Sequence, residues 1–117
     1  MTLCLNKTQQ NTFILYLKKI LPFVISCGFN KKILIITVKS KDVLFLLHFL
    51  KLHYNTNFNC LTAISCVDYP FRKKRFEVIY ELLSLSFNNR LRVKTFIDEI
   101  TTLESSVTVF SAATWWE

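Results

Sequence analysis

The chain has 117 residues, a formal net charge of +7 and 51% hydrophobic residues. This composition excludes a disordered chain, and the length fits a single domain over residues 1–117 that can bury its own core. Phenylalanine and lysine are frequent whereas glycine occurs once, a bias typical of an AT-rich genome such as that of an organelle. The positive charge favours an acidic partner, whether nucleic acid, lipid or protein.

The first part of the chain combines a helical and an extended pattern of apolar residues. A helix is predicted over residues 8–21, and Pro22 ends it because proline disfavours helix at the preceding residue. Strands are predicted over 23–27 and 33–38. They are joined by a turn at Gly28–Lys31, where glycine and asparagine can adopt positive φ.

A second helix is predicted over residues 40–54. Ser40 is a residue type preferred at a helix N-cap, and Asp42 lies in the first turn, where the helix dipole favours an acidic side chain. The predicted apolar face of this helix consists of Leu44, Phe45, Leu47, His48 and Leu52.

Three strands follow, predicted over residues 60–67, 76–85 and 91–96, with Asn88-Asn89 as the turn between the last two. Residues 97–117 are predicted to form a helical turn and an irregular tail. The order α-β-β-α-β-β-β predicts an α+β fold, a two-layer domain with a mixed β-sheet and helices on one of its faces.

The sequence lacks the common motifs of catalytic and cofactor sites. A single glycine cannot form a glycine-rich phosphate loop, and no G-x-S-x-G motif occurs. We therefore expect no catalytic residue, bound cofactor or metal, and His48 and His53 are expected to be structural. No stretch has the length and apolarity of a membrane span. The cysteines form no C-x-x-C pair and are expected to be buried free thiols in a reducing compartment; they are Cys4, Cys27, Cys60 and Cys66.

The clearest charge cluster is Arg72–Arg75, four consecutive basic residues bracketed by Phe71 and Phe76. Three interpretations fit this cluster. It is a solvated connection between strands, a surface that docks on an acidic protein, or a nucleic-acid contact that combines phosphate pairing with base stacking.

A second unusual segment is Trp115-Trp116-Glu117. Two adjacent tryptophans on a regular element cannot both face one core, and large aromatic residues are typical anchors of protein interfaces. The alternatives are a docked surface and burial of one ring in the core of the chain itself.

Several segments resemble one family of proteins. They are Phe49–His53, Cys66–Pro70, Arg72–Ser84, Asn89–Thr95 and Ser105–Glu117. The sequence of these segments is similar to the family of the 30 kDa subunit of respiratory complex I, which includes mitochondrial NADH dehydrogenase subunit 9 and its bacterial counterparts.

The resemblance implies a core subunit of the peripheral arm that binds no cofactor and supports the quinone module. Such a chain is a non-catalytic subunit of the proton-translocating NADH:ubiquinone reductase, and it assists electron transfer without carrying redox centres. The resemblance implies a protein on the matrix side of the mitochondrial inner membrane, associated with the membrane only through the complex. The AT-rich composition bias favours a protein that is encoded in the organelle. The alternative is a small basic RNA-binding or ribosomal protein of an organelle; under the leading interpretation no nucleic acid is expected.

The implied partners are other complex I subunits, chiefly the large subunit of the quinone site. Family members continue beyond the position of Glu117 with a long tail that this sequence lacks. We hypothesise that a second polypeptide supplies that part, as in a split subunit. The expected partner interface comprises Asp68, Tyr69, Arg72, Lys73, Lys74, Arg75, Trp115, Trp116 and Glu117.

Overall fold

A five-stranded sheet organises the chain in the computed structural model, which describes residues 15–19, 24–30, 33–53, 57–85 and 89–117. The elements in chain order are α1 (helical residues 15–19), β1 (Val24–Asn30), β2 (Ile33–Val38), a 3₁₀ turn (Ser40–Asp42), α2 (Val43–Leu52), β3 (Cys60–Asp68), β4 (Phe76–Ser84), β5 (Asn89–Ile97), a second 3₁₀ turn (Ser106–Thr108) and α3 (Ala113–Trp116). The predicted α+β class and the order of the main elements are confirmed.

β5 lies in the centre of the sheet, whose strand order is β1-β2-β5-β4-β3. It pairs in parallel with β2 and antiparallel with β4, while the β1–β2 and β3–β4 pairs are antiparallel. The sheet is therefore mixed, as predicted. Its register aligns Ile36, Val93, Tyr80 and Ile64 in one row across four strands. Because successive side chains of a strand point to opposite faces, this row and its alternate neighbours form one face of the sheet.

The core lies between that face and the helices. Leu17 of α1 and Ala113 of α3 are buried in the same cluster as the sheet residues. The α2 side chains in the cluster are Val43, Leu46, Leu47 and Leu50. Fully burying an aliphatic side chain of this size stabilises the fold by about 1.5–3 kcal/mol. The helices thus cover one face of the sheet, as predicted.

The predicted apolar face of α2 is wrong for three of its residues. Leu47 is buried and Leu44 packs against the core, but Phe45, His48 and Leu52 are exposed. The sequence of α2 is apolar around almost its whole circumference. The spacing of apolar residues therefore does not reveal which side meets the sheet.

Both ends of α2 also differ from the prediction. Ser40 lies inside the 3₁₀ turn, and Asp42 directly precedes α2 without a side-chain hydrogen bond to the helix. The helix ends at Leu52, while Tyr54 lies outside the described residues. Asn57 has a positive φ of 48°, a left-handed conformation that asparagine tolerates and that redirects the chain toward β3.

Two predicted turns contain strand residues. Gly28 and Asn30 belong to β1, and Gly28 does not have a positive φ. Asn89 is the first residue of β5. The remaining parts of these turns, Lys31 and Asn88, lie outside the described residues. Antiparallel pairing extends to the ends of these strands, which explains why the predicted turns were too long.

The expectation of buried cysteines is wrong for Cys66, which is exposed on β3 at the edge of the sheet. Cys60 is half-buried, and both thiols are free. Cys4 and the side chain of Cys27 lie outside the part of the chain that the structure describes. Of the helices within that part, none combines the length and apolarity needed to cross a membrane.

The face of the sheet away from the helices carries cross-strand ion pairs. Arg92 Nη2 lies 2.8 Å from Oε1 of Glu81, its direct neighbour on β4. Lys94 Nζ lies 3.2 Å from Oε1 of Glu77, whose side chain is largely buried. This face is therefore partly polar, in contrast to the apolar face under the helices.

Candidate functional site

The basic cluster lies in the loop between β3 and β4, which we call the basic loop (residues 69–75). Two backbone hydrogen bonds shape it. The N–H of Tyr69 donates to the carbonyl of Arg75 at 2.8 Å, and the N–H of Arg72 donates to the carbonyl of Tyr69 at 3.0 Å. The second bond closes a four-residue β-turn with Pro70 in second position, where its fixed φ is favourable. Phe71 consequently occupies the tip.

Arg75 connects the basic loop to the neighbouring strand ends. Its Nε and Nη2 donate to the two carboxylate oxygens of Asp68 at 2.6 and 2.8 Å, and its Nη1 donates to Glu99 Oε1 at 2.6 Å. The guanidinium carbon also lies 5.3 Å from the ring centroid of Phe76. These hydrogen bonds lower the pKa of Asp68 and raise that of Arg75. Arg75 therefore fixes both ends of the loop.

Arg72 is also engaged within the chain. Its guanidinium carbon lies 4.0 Å from the ring centroid of Tyr69 and 5.7 Å from that of Phe96, distances at which a cation is attracted to an aromatic face. Nη1 of Arg72 lies 3.7 Å from Oε2 of Glu77. Arg72 thus packs the loop against the partly polar face of the sheet.

Lys73 and Lys74 differ from the two arginines that flank them. Both lysines are exposed, and the ion pairs found among the described residues include neither of them. Phe71, which precedes Arg72 in the loop, is fully exposed at 101%. The four consecutive basic residues therefore separate into two arginines that hold the loop and two lysines that are exposed to solvent.

The segment after β5 flanks the basic loop. The Asp98 carboxylate accepts hydrogen bonds from the N–H groups of Ile100 at 3.2 Å and Thr101 at 2.7 Å, and from the Thr101 hydroxyl. The bond from the Thr101 hydroxyl is the main reason why the pKa of Asp98 is lowered. Ile100 is left 90% exposed, and it lines a shallow depression together with Lys73 and Glu99.

The second predicted surface lies in the C-terminal turn (residues 105–117). The Glu117 carboxylate accepts hydrogen bonds from the Ser105 hydroxyl at 2.5 Å and from the N–H and hydroxyl of Ser106, both at 2.9 Å. Burial alone would raise the pKa of Glu117, but these hydrogen bonds outweigh it and lower the pKa below its ordinary value. Glu117 thereby closes the turn on itself.

Closure of the C-terminal turn leaves the tryptophans at the surface. Trp115 is 87% exposed and Trp116 is 46% exposed, whereas Ala113 of the same helix is buried. Beneath the turn, burial raises the pKa of Tyr80 to about 12, and the charge of Glu117 adds to this shift. Of the two alternatives for the tryptophans, burial of a ring in the core is therefore excluded for Trp115.

The residues expected at a partner interface fall into two groups. The first group is at the end of β3 and in the basic loop, and the second is the C-terminal turn. No hydrogen bond or ion pair joins the two groups among the residues described. The residues that shape these surfaces but were absent from the expected interface are Phe71, Phe96, Glu99, Ser105 and Ser106.

The two histidines belong to α2 and its C-terminal end. Tyr16 Oη and His53 Nε2 are 2.8 Å apart, and the His53 ring stacks on Phe49 with centroids 4.7 Å apart. His48 is exposed on α2. No group of three or more His, Cys, Asp or Glu side chains suited to a metal ion occurs in the part of the chain described.

Fold and surfaces together define a small α+β domain that presents aromatic side chains at two separate places. The chain belongs to the family described as respiratory-chain NADH dehydrogenase, 30 Kd subunit, which it matches over residues 36–117. This range contains both the basic loop and the C-terminal turn.

Three relatives show the extent of the similarity. NADH-ubiquinone oxidoreductase subunit 9 of Reclinomonas americana is 38% identical over 118 residues, covering 97% of this chain and 58% of that protein. Subunit 9 of Prototheca wickerhamii is 51% identical over 71 residues, covering 61% and 37%. NADH dehydrogenase (ubiquinone) iron-sulfur protein 3 of Beta trigyna is 54% identical over 77 residues, covering 65% and 40%. The match to this chain thus spans between 37% and 58% of the length of these relatives.

A solved structure shows the same fold at low sequence identity. It is a chain of the structure titled "Structure of the membrane-bound sulfane sulfur reductase (MBS), an archaeal respiratory membrane complex". The two chains align with a TM-score of 0.75 and 18% identity, covering 91% of this chain and 62% of that one. The fold of this chain therefore also occurs in a chain of that archaeal complex.

Proposed function

We propose that this chain is a non-catalytic docking subunit of respiratory NADH:ubiquinone oxidoreductase. The observation that carries the proposal is the C-terminal turn, which lies within the family match. There the Glu117 carboxylate is hydrogen-bonded to Ser105 and Ser106 while Trp115 remains 87% exposed. A tryptophan fixed at the surface in this way is suited to bury its ring against a partner, because large aromatic side chains dominate binding energy at protein interfaces.

In this proposal the chain binds no cofactor, and the redox centres belong to neighbouring subunits. It contributes to the quinone module of the peripheral arm and packs beside the large subunit of the quinone site. Its place is the matrix side of the mitochondrial inner membrane, and the AT-rich composition bias favours synthesis within the organelle. The membrane is contacted only through the complex.

We propose that the C-terminal turn is covered by the part of the family sequence that follows the position of Glu117. The split-subunit hypothesis assigns that segment to a second polypeptide. In this proposal the exposed ring of Trp115 contacts that segment, whether the segment is a separate polypeptide or is covalently joined to this chain.

Native gel electrophoresis of solubilised organelle membranes tests the assignment. We expect this chain to comigrate with NADH dehydrogenase activity and to remain with it after nuclease treatment. Mass spectrometry of the same band gives the mass of the chain and identifies any separate polypeptide that matches the rest of the family. Comigration with ribosomes, or release by nuclease, would instead establish the RNA-binding alternative.

If the active band contains one longer, covalently continuous chain, only the split-subunit hypothesis is refuted. Absence of this chain from the active band would refute the docking function itself. The two hypotheses are therefore separated by one preparation.

A further inference from the structure

We propose that Phe71 is an aromatic anchor that inserts into an apolar pocket of a partner protein, while Lys73 and Lys74 pair with carboxylates on the rim of that pocket. The inference deepens the proposed function, on which it rests, because the partner is taken to be a neighbouring subunit. It assigns a contact to the tip of the basic loop rather than to the whole basic cluster.

Phe71 lies at the exposed tip of the basic loop. Its side chain is 101% exposed, so the ring contributes nothing to the core of this domain. It occupies the third position of the β-turn closed by the Arg72 N–H and the Tyr69 carbonyl, with Pro70 before it. A proline and a closed hydrogen bond restrict the turn before binding, which reduces the entropy lost when the ring is buried by a partner.

Two of the four basic side chains remain available after the ion pairs within the described residues have formed. Arg75 is paired with Asp68 and Glu99, and Arg72 is paired with Glu77. Lys73 and Lys74 have no such pair among the described residues. The cationic groups left available beside Phe71 are therefore two ammonium groups. They complement carboxylates around a pocket and would favour fast, correctly oriented association.

The surface of the basic loop fits a protein better than a nucleic acid or a membrane. Protein contacts to nucleic acid rely on cations that neutralise phosphates and on aromatic platforms for successive bases. Here both arginines are already engaged with carboxylates, and the loop tip offers a single ring. An anionic membrane is disfavoured because Asp98 and Glu99 lie at the same end of the sheet, and the Glu99 side chain is 64% exposed. A protein pocket with an acidic rim fits these features best.

Arg72 and Arg75 act as positioning residues in this account. Arg75 holds the strand ends together through Asp68 and Glu99, and Arg72 stacks on Tyr69. Neither guanidinium needs to touch the partner. The contact surface is Phe71, Lys73 and Lys74, together with the exposed Ile100 across the shallow depression.

A competition assay tests the anchor. Labelled wild-type chain is incorporated into peripheral arm from which the endogenous subunit has been dissociated, and unlabelled variants compete for it. We expect Phe71→Ala and the double variant Lys73→Glu/Lys74→Glu each to compete at least about tenfold less well than wild type. Phe71→Leu should recover part of the loss, because an apolar pocket accepts a second apolar side chain.

Matched control variants distinguish an effect specific to the loop tip from the general effects of losing an exposed apolar side chain or changing the net charge. Leu85→Ala removes another exposed apolar side chain, and Lys39→Glu/Lys41→Glu makes the same change in net charge at exposed positions. Both controls should compete as wild type does. Thermal unfolding of every variant should match wild type. If Phe71→Ala unfolds the domain, the exposure on which the proposal stands is wrong and the proposal falls.

The outcomes distinguish this inference from the proposed function. Failure of the wild-type chain to incorporate at all would refute the proposed function. Incorporation of wild type with undiminished competition by Phe71→Ala would refute only the anchor. Wild-type binding to phosphatidylcholine–cardiolipin vesicles, or to RNA, that Phe71→Ala abolishes would overturn the protein partner in favour of a membrane or a nucleic acid.

Discussion

The basic loop and the C-terminal turn both expose an aromatic side chain, but different interactions hold them in place. In the basic loop, ion pairs of Arg75 with Asp68 and Glu99 join side chains that are 40–64% exposed. In the C-terminal turn, one carboxylate accepts three hydrogen bonds from two serines. A run of like charges in a sequence therefore does not reveal which of those charges are available to a partner. Within the described residues the loop keeps two lysines outside any ion pair, whereas the turn engages its only acidic side chain.

The largest expected difference between the two regions is produced by Arg75→Ala, which should loosen the basic loop and leave the C-terminal turn unchanged. The substitution leaves Asp68 and Glu99 without their cation and releases both ends of the loop. We expect chymotrypsin to cleave after Phe71 several-fold faster, because cleavage follows the local opening of the loop. Limited proteolysis with mass detection measures the rate.

The matched control for this variant is Lys74→Ala, which removes an adjacent basic residue that is exposed. It should leave the cleavage rate unchanged. Equal acceleration by both substitutions would show that the loop responds to net charge and would contradict the distinction between its arginines and its lysines.

A smaller effect is expected from acid in the C-terminal turn. The folded-state pKa of Glu117 is lowered from 4.5, so its charge stabilises the turn above the unfolded pKa and this stabilisation is lost as pH falls through the folded pKa. The loss of stability is expected to be small because the Glu117 side chain is exposed and its charge is screened by solvent. Both tryptophans of the chain lie in this turn, so their fluorescence should change as the pH is lowered below 4.5.

Glu117→Gln provides the control for the titration. It retains an acceptor oxygen for Ser106 but carries no titrating carboxyl group. The fluorescence change below pH 4.5 should therefore disappear in the variant. An unchanged titration curve would assign the transition to another acidic residue and would remove the role given to Glu117.

Much of the fold was predictable because strands have a clear period. The alternation along β4 located that strand to within a residue, and the apolar run of residues 33–38 located β2. The order of elements indicated the two-layer fold. The buried side of α2 was not predictable, since its sequence is apolar on nearly all sides. Tertiary packing, rather than spacing, decides that Leu46 is buried and Phe45 exposed.

The candidate site was predictable in position but not in detail. The sequence located the basic cluster and the tryptophans. It could not reveal the contact between Arg75 and Glu99, which are 24 residues apart and meet only because Phe76 of β4 pairs with Ile97 of β5. The sequence does not show which basic residues of one run form ion pairs. That depends on which carboxylates the ends of the neighbouring strands bring within reach. Phe71 could have been recognised as an apolar residue next to a proline inside a charged turn.

The most direct test of two separate docking surfaces is site-specific photo-crosslinking in the native complex, with benzoylphenylalanine placed at position 71 or at position 115. We predict that position 71 cross-links to a partner peptide in which apolar residues are flanked by Asp or Glu, and that position 115 cross-links to a different segment. Cross-linking from neither position to any protein, in a complex that has assembled, would contradict the account.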